Sequence, residues 1–232
     1  MLEHHFLFRS FIGYEAQRKR MLKSAPAGPL RTFLSQPFPA LDTPFEDIEI
    51  LAVDFETTGL DAVKDKLLSV GCVDVTQQQI KLASSYHAII HTQGSLQADN
   101  VTIHQITDDQ KDQGQPLADV IAQLLERLAG KVMLVHFARI ERQFLRQACL
   151  ELYGMAPPLP IIDTLVVAKK MLDKSAVAYD PSQLRLAALR AKYHLPDHYA
   201  HNALNDAIAT AELLLAINAE RQQALSLQQL IL

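Results

Sequence analysis

Cysteine occurs only twice in the 232 residues, at Cys72 and Cys149, and never as a Cys-x-x-Cys pair. That excludes a disulfide-stapled scaffold and a zinc knuckle, and it fits two free core thiols in a reducing, cytoplasmic compartment. No apolar run approaches the roughly 18 residues that would span a bilayer, so no membrane partner is expected. The opening MLEHHFLFRSF has neither a long apolar core nor a small-residue cleavage site, so no secretion signal is expected. No internal repeat is present. Strong net charge is also missing: the chain carries −4, split between +2 in residues 1–46 and −6 in the remainder. An acidic body does not exclude a nucleic-acid substrate, because a local basic path suffices and bound metal ions cancel part of a site's negative charge.

What is present is ordinary globular material, 49% apolar and 21% charged, with enough length for one sizeable domain and an extension. The expected division is a basic, proline-containing N-terminal extension over 1–46 and a main domain over 47–232. Residues 1–23 read as a short basic amphipathic helix. SAPAGPLRTFLSQPFPALDTP, with five prolines and one glycine, reads as an irregular linker.

From residue 47 the pattern becomes regular. IEILAVDFE reads as a strand, TTGLDAVKDK as a turn, and LLSVGCVDV and IKLASSYHAII as two strands joined through TQQQ as a hairpin. PLADVIAQLLERLAG has helical spacing, with Pro116 near its start and Gly130 at its end. KVMLVHF is a short strand, and ARIERQFLRQACLELYG a helix stopped by Gly154. Three helical stretches follow, roughly 164–173, 181–191 and 202–225. Strands followed by alternating helices and a strand argue for a mixed α/β sheet.

Carboxylates interrupt these apolar elements at four places. Side chains two apart on a strand face the same way, so Ile50, Ala52, Asp54 and Glu56 share one face, and Leu51, Val53 and Phe55 the other. Two like charges ending a central strand require either a divalent cation or solvent. Glu141 lies in the apolar stripe of Leu145, Ala148 and Leu152, whereas Arg139, Arg142 and Arg146 point to the opposite side. Asp206 shares a helix face with Leu213 and Ile217, behind Asn202 as N-cap. His201 cannot share a helical face with Asp206, five residues on, so it belongs to the loop before that helix.

These residues in this order resemble the DEDDh family of 3′–5′ exonucleases. VDFETTGL looks like its D-x-E-T-T-G, HNALND like its H-x-x-x-x-D, VTIHQIT (101–107) like an I-H-G-I-T segment and IIDTL (161–165) like its D-T-L. HFARIE departs from the family's H-N-A-x-F-D: Phe137 stands for the asparagine and Glu141 for the aspartate. Gln105 replaces the family glycine.

The resemblance implies a ribonuclease H-like mixed five-stranded sheet flanked by helices, with a helical N-terminal extension. It also implies two divalent cations, Mg²⁺ or Mn²⁺, held by Asp54, Glu56, Asp206 and Glu141, with His201 as general base. Thr57, Thr58, Gly59, Leu60 and His104 would meet the terminal nucleotides. The implied substrate is the 3′ end of single-stranded nucleic acid, DNA favoured over RNA, and the family leaves room for a DNA polymerase or repair partner. An RNA-trimming exonuclease and a weakly active or non-catalytic end-binding module remain as alternatives.

Overall fold

A five-stranded sheet in the order β3-β2-β1-β4-β5 forms the centre of the molecule. The computed structural model describes residues 2–93, 106–174, 178–221 and 225–232, with side chains from residue 13 onward. The strands are β1 (Ile50–Thr57), β2 (Leu67–Thr76), β3 (Gln79–Ile89), β4 (Val132–Val135) and β5 (Ile161–Asp163). β1 to β3 are antiparallel, and β1, β4 and β5 run parallel, so β1 is central. Its apolar residues are buried on both faces, as a strand covered on two sides requires. The hairpin between β2 and β3 turns on Gln77 and Gln78, both with positive φ (52° and 56°), which suits the twist of a two-residue turn.

The helices are α1 (Leu2–Ser24), α2 (Pro29–Ser35), α3 (Asp108–Asp112), α4 (Leu117–Leu128), α5 (Arg139–Tyr153), α6 (Thr164–Lys174), α7 (Leu186–Lys192), α8 (Ala203–Ala219) and α9 (Leu227–Leu230). Pro116 caps α4, and Gly154 closes α5 in the left-handed conformation at φ 70°. α8 lies across β1 and β2, α4 packs on α5 and α2, and α5 reaches β1. No helix among the described residues is long and apolar enough to cross a membrane.

Three local expectations are corrected. The stretch read as an irregular linker contains α2, whose Leu30, Phe33 and Leu34 are fully buried. Pro29 pre-sets the first helical turn, and i, i+3, i+4 spacing puts the three side chains on one stripe, each worth about 1.5–3 kcal/mol of burial. The stretch 181–191 is a 3₁₀ turn, Pro181–Leu184, followed by α7, because Arg185 between them is extended. The last stretch ends at Ala219, short of 225.

The N-terminal helix is fastened to this body. The Arg18 guanidinium is buried, pairs with Glu15 at 2.6 Å, donates to the Leu34 carbonyl and lies over the Phe38 ring. At the other terminus, the N–H groups of Leu227 and Gln228 donate to the carbonyls of Thr43 and Leu41.

Candidate active site

β1 delivers the first two acids. Asp54 and Glu56 point to one face at the C-terminal end of the strand, and a register shift between Glu56 and Thr57 interrupts the ladder with β2 there. Glu56 is buried and Asp54 partly exposed. Burial, then the charges of Glu141, Glu56 and Asp206, hold the Asp54 carboxyl well above the usual carboxylate range.

α8 delivers the third. Asn202 caps it by accepting the Asn205 N–H, and Asp206 follows in the first turn. The helix reaches the sheet because the residue beneath it is Gly71, register partner of Asp54. A Cβ there would lie 2.1 Å from the Ala203 carbonyl carbon. Carboxylate oxygens of Asp54, Glu56 and Asp206 consequently come within 4.8 Å of one another.

Both Asp206 oxygens are engaged from the preceding loop. The His201 backbone N–H donates to Oδ2 and His198 Nε2 donates to Oδ1, each at 2.8 Å. His201 itself is exposed, with φ 63°. The loop is anchored by the buried Arg190, which donates to the carbonyls of Pro196 and Ala209 and pairs with Glu212.

Glu141, in the first turn of α5, is 3% exposed. Pairing of β1 with β4 stops at Ala52 and Leu134, leaving the end of β1 open toward α5. The backbone N–H groups of Glu141 itself and of Phe55, the residue between the two strand acids, favour the ionised Glu141 carboxylate. Burial pushes its pKa up to about 8, with the Asp163 and Glu56 charges adding to the rise. Its Oε2 is buried without a hydrogen-bond partner among the described residues. Glu141 stands beside the three clustered acids rather than among them.

The start of α5 is held from outside. Ala138 at its N-cap has no side-chain acceptor to offer, and Asp163, at the end of β5, supplies one. The Asp163 carboxylate accepts N–H groups from Phe137, Ala138 and Leu165 at 3.0, 2.8 and 2.9 Å. These bonds keep Phe137 at φ 73°, a conformation that costs a non-glycine residue on the order of 1–3 kcal/mol.

The turn after β1 is largely self-bonded. The Thr57 hydroxyl donates to the Gly59 carbonyl at 2.7 Å, and the Thr58 hydroxyl accepts the Lys66 N–H at 2.9 Å. Gly59 packs against the Asp65 carboxylate so closely that a Cβ would meet it at 2.4 Å. Leu60 stands 66% exposed. His104 and Gln105 lie outside the described residues.

This donor set fits a hard divalent cation. The clustered ligands are all carboxylate oxygens, an unpartnered carboxylate oxygen is buried beside them, and among the described residues no lysine or arginine is ion-paired to Asp54, Glu141 or Asp206. The profile of the exonuclease family RNase_T matches residues 51–214, a span that contains all four acids and both histidines.

The chain belongs to this exonuclease family.

DNA polymerase III PolC-type of Thermotoga petrophila is 29% identical over 75% of this chain, but over only 12% of its own length. DNA polymerase III subunit epsilon of Treponema pallidum is 27% identical, over 72% of this chain and 75% of its own. This exonuclease chain therefore spans about an eighth of the PolC-type relatives it matches. Among solved structures, the nuclease domain of the DEDDh member 3′hExo, bound to rAMP, superposes with a TM-score of 0.66 at 15% identity, over 79% of this chain and 98% of that one. Escherichia coli Exonuclease I bound to a dT13 oligonucleotide does so at 0.63 and 15%, over 75% and 41%. Both share the ribonuclease H-like fold.

Sequence reasoning left three residues of this exonuclease without a role. His198 lies in PDHYAHNALND, three before His201, and only the loop's path shows that it reaches Asp206. Asp163 was matched by resemblance, yet its work is to cap α5. Arg190 carried no local signal.

Proposed function

We propose that the chain is a metal-dependent 3′–5′ exonuclease that hydrolyses the terminal phosphodiester of single-stranded DNA and releases nucleoside 5′-monophosphates. The observation that carries this reading is the convergence of Asp54, Glu56 and Asp206 within 4.8 Å, in a chain of the exonuclease family. Asp54, Glu56 and Asp206 would hold Mg²⁺ or Mn²⁺, with Glu141 supporting a second ion. Bound there, the ions supply acidification of the attacking water and neutralisation of phosphoryl charge.

The chain's own groups do the rest. His201, exposed on its loop at the Asp206 end of the site, takes the water proton on a ring nitrogen as general base. His198 donates to Asp206 and fixes the carboxylate's orientation. As water adds to phosphorus, the bond to the preceding O3′ breaks, and that oxygen takes a proton from solvent to leave a 3′-hydroxyl on the shortened strand. The turn at Thr57–Leu60 and His104 contact the terminal nucleotides without reading sequence. Relatives it matches include DNA polymerase III proteins, and a polymerase partner for this chain belongs to the same proposal.

The test is degradation of 5′-labelled single-stranded DNA and RNA of matched sequence with Mg²⁺, Mn²⁺ or EDTA, by the native chain and Asp54→Ala. A metal-dependent ladder shortening from the 3′ end, lost in Asp54→Ala and faster on DNA, is the expected result. Faster loss of RNA would move the substrate to the RNA-trimming alternative. No ladder with intact end binding would overturn the enzyme in favour of an end-binding module.

A further inference from the structure

Four of the five large apolar residues exposed among the described residues lie in loops next to the elements that carry the acids: Leu60 and Val63 after β1, Phe137 just before α5 and Tyr199 before α8; only Leu82 lies elsewhere. Exposed apolar surface gathered on the rim of a polar site marks a place where something apolar is bound. Phe137 is the most constrained of the four. Its backbone is left-handed, a conformation asparagine tolerates and a bulky residue resists. The family motif has asparagine here, and this chain carries a ring in its place. The buried Asp163 carboxylate, by accepting the Phe137 and Ala138 N–H groups, maintains that backbone. A ring placed there only to fill space would be buried, yet Phe137 is 43% exposed. It stands four residues before Glu141 and two before Arg139, which lines a cleft of about 600 Å³ with Leu60 and Arg146.

We propose that Phe137 is a stacking platform for a nucleobase near the 3′ end of the substrate. The inference rests on the exonuclease reading above. Loss of one base–aromatic stack is worth about tenfold or more in affinity.

The experiment compares the native chain, Phe137→Ala, Phe137→Asn and Phe137→Tyr. Binding of 5′-labelled single-stranded oligonucleotides is measured by anisotropy in Ca²⁺, and kcat and KM in Mg²⁺. Each oligonucleotide is paired with versions carrying an abasic site at one of the last three positions. The expected result is an affinity loss and KM rise of about tenfold or more in Phe137→Ala and Phe137→Asn on the complete oligonucleotide. One abasic version should show no such loss, and Phe137→Tyr should keep the difference between the two. Equal losses on complete and abasic oligonucleotides would show a structural role and overturn the proposal, as would unchanged binding throughout. Phe137→Gly, which relieves the left-handed strain, supplies a folded comparison if the other variants melt early. An inactive native chain that still binds ends in a Phe137-dependent, base-dependent way would sink the catalytic reading and leave this inference standing. A native chain that degrades DNA with no base dependence at Phe137 would do the reverse.

Discussion

Gly71 and Ala203 meet backbone to backbone: a Cβ on Gly71 would lie 2.1 Å from the Ala203 carbonyl carbon. Gly71 is paired with Asp54 in the sheet, and Ala203 opens the helix whose first turn carries Asp206. The missing side chain therefore brings two acids, 152 positions apart in sequence, into one cluster.

Gly71→Ala must push the first turn of α8 off β2. We expect a destabilisation of about 1–3 kcal/mol from overpacking, and a weakening of Mn²⁺ binding larger than the stability loss explains. Calorimetric titration with Mn²⁺ beside thermal melting checks this. Unchanged Mn²⁺ affinity would show that Asp206 is not placed by this contact.

Glu141→Gln keeps the buried side-chain volume and a polar oxygen, but it cannot ionise to meet a cation. In EDTA near pH 7 the melting temperature should hold, because a carboxyl whose pKa is raised to about 8 is already largely protonated and neutral there. With Mn²⁺ added, the stabilisation should shrink, with affinity weaker by tenfold or more. Melting curves with and without Mn²⁺ decide it.

Asp163→Asn offers one acceptor oxygen where the carboxylate served three N–H groups. The expected loss is about 3 kcal/mol, a fall in Tm of roughly 6–12 °C for a chain of this size. Phe137→Gly in the same background should recover part of it, since the left-handed backbone no longer needs to be held. A double-mutant cycle by chemical denaturation measures the coupling.

His136 donates Nδ1–H to the Thr164 hydroxyl, which in turn donates to the Val135 carbonyl. Burial holds this imidazole below its ordinary value of 6.5, against the pull of Asp163, the Leu184 carbonyl and Asp206. The unfolded chain then binds the proton more readily. The stabilisation is fully present above pH 6.5 and is lost as pH falls through the lowered folded value. His136→Asn, which keeps a donor toward Thr164, should flatten this part of the stability–pH curve. Urea melts between pH 5 and 7.5 test it.

By itself, the sequence determined the elements and the order of the acids. A period of two put Asp54 and Glu56 on one face of a strand, helical spacing turned Glu141 and Asp206 inward, and Gly154 and Asn202 marked helix ends. Such signals are local, each resting on neighbours within a few residues. The same kind of signal was present in Pro29–Ser35 and was outweighed by the surrounding prolines. Only the tertiary structure decided the rest. It set the depth at which α8 meets β2 over Gly71, the reach of His198 to Asp206, and the Asp163 carboxylate that holds Phe137 and α5 in place. Each of these is a distance between segments far apart in the chain. Packing sets such distances, and no local periodicity encodes them.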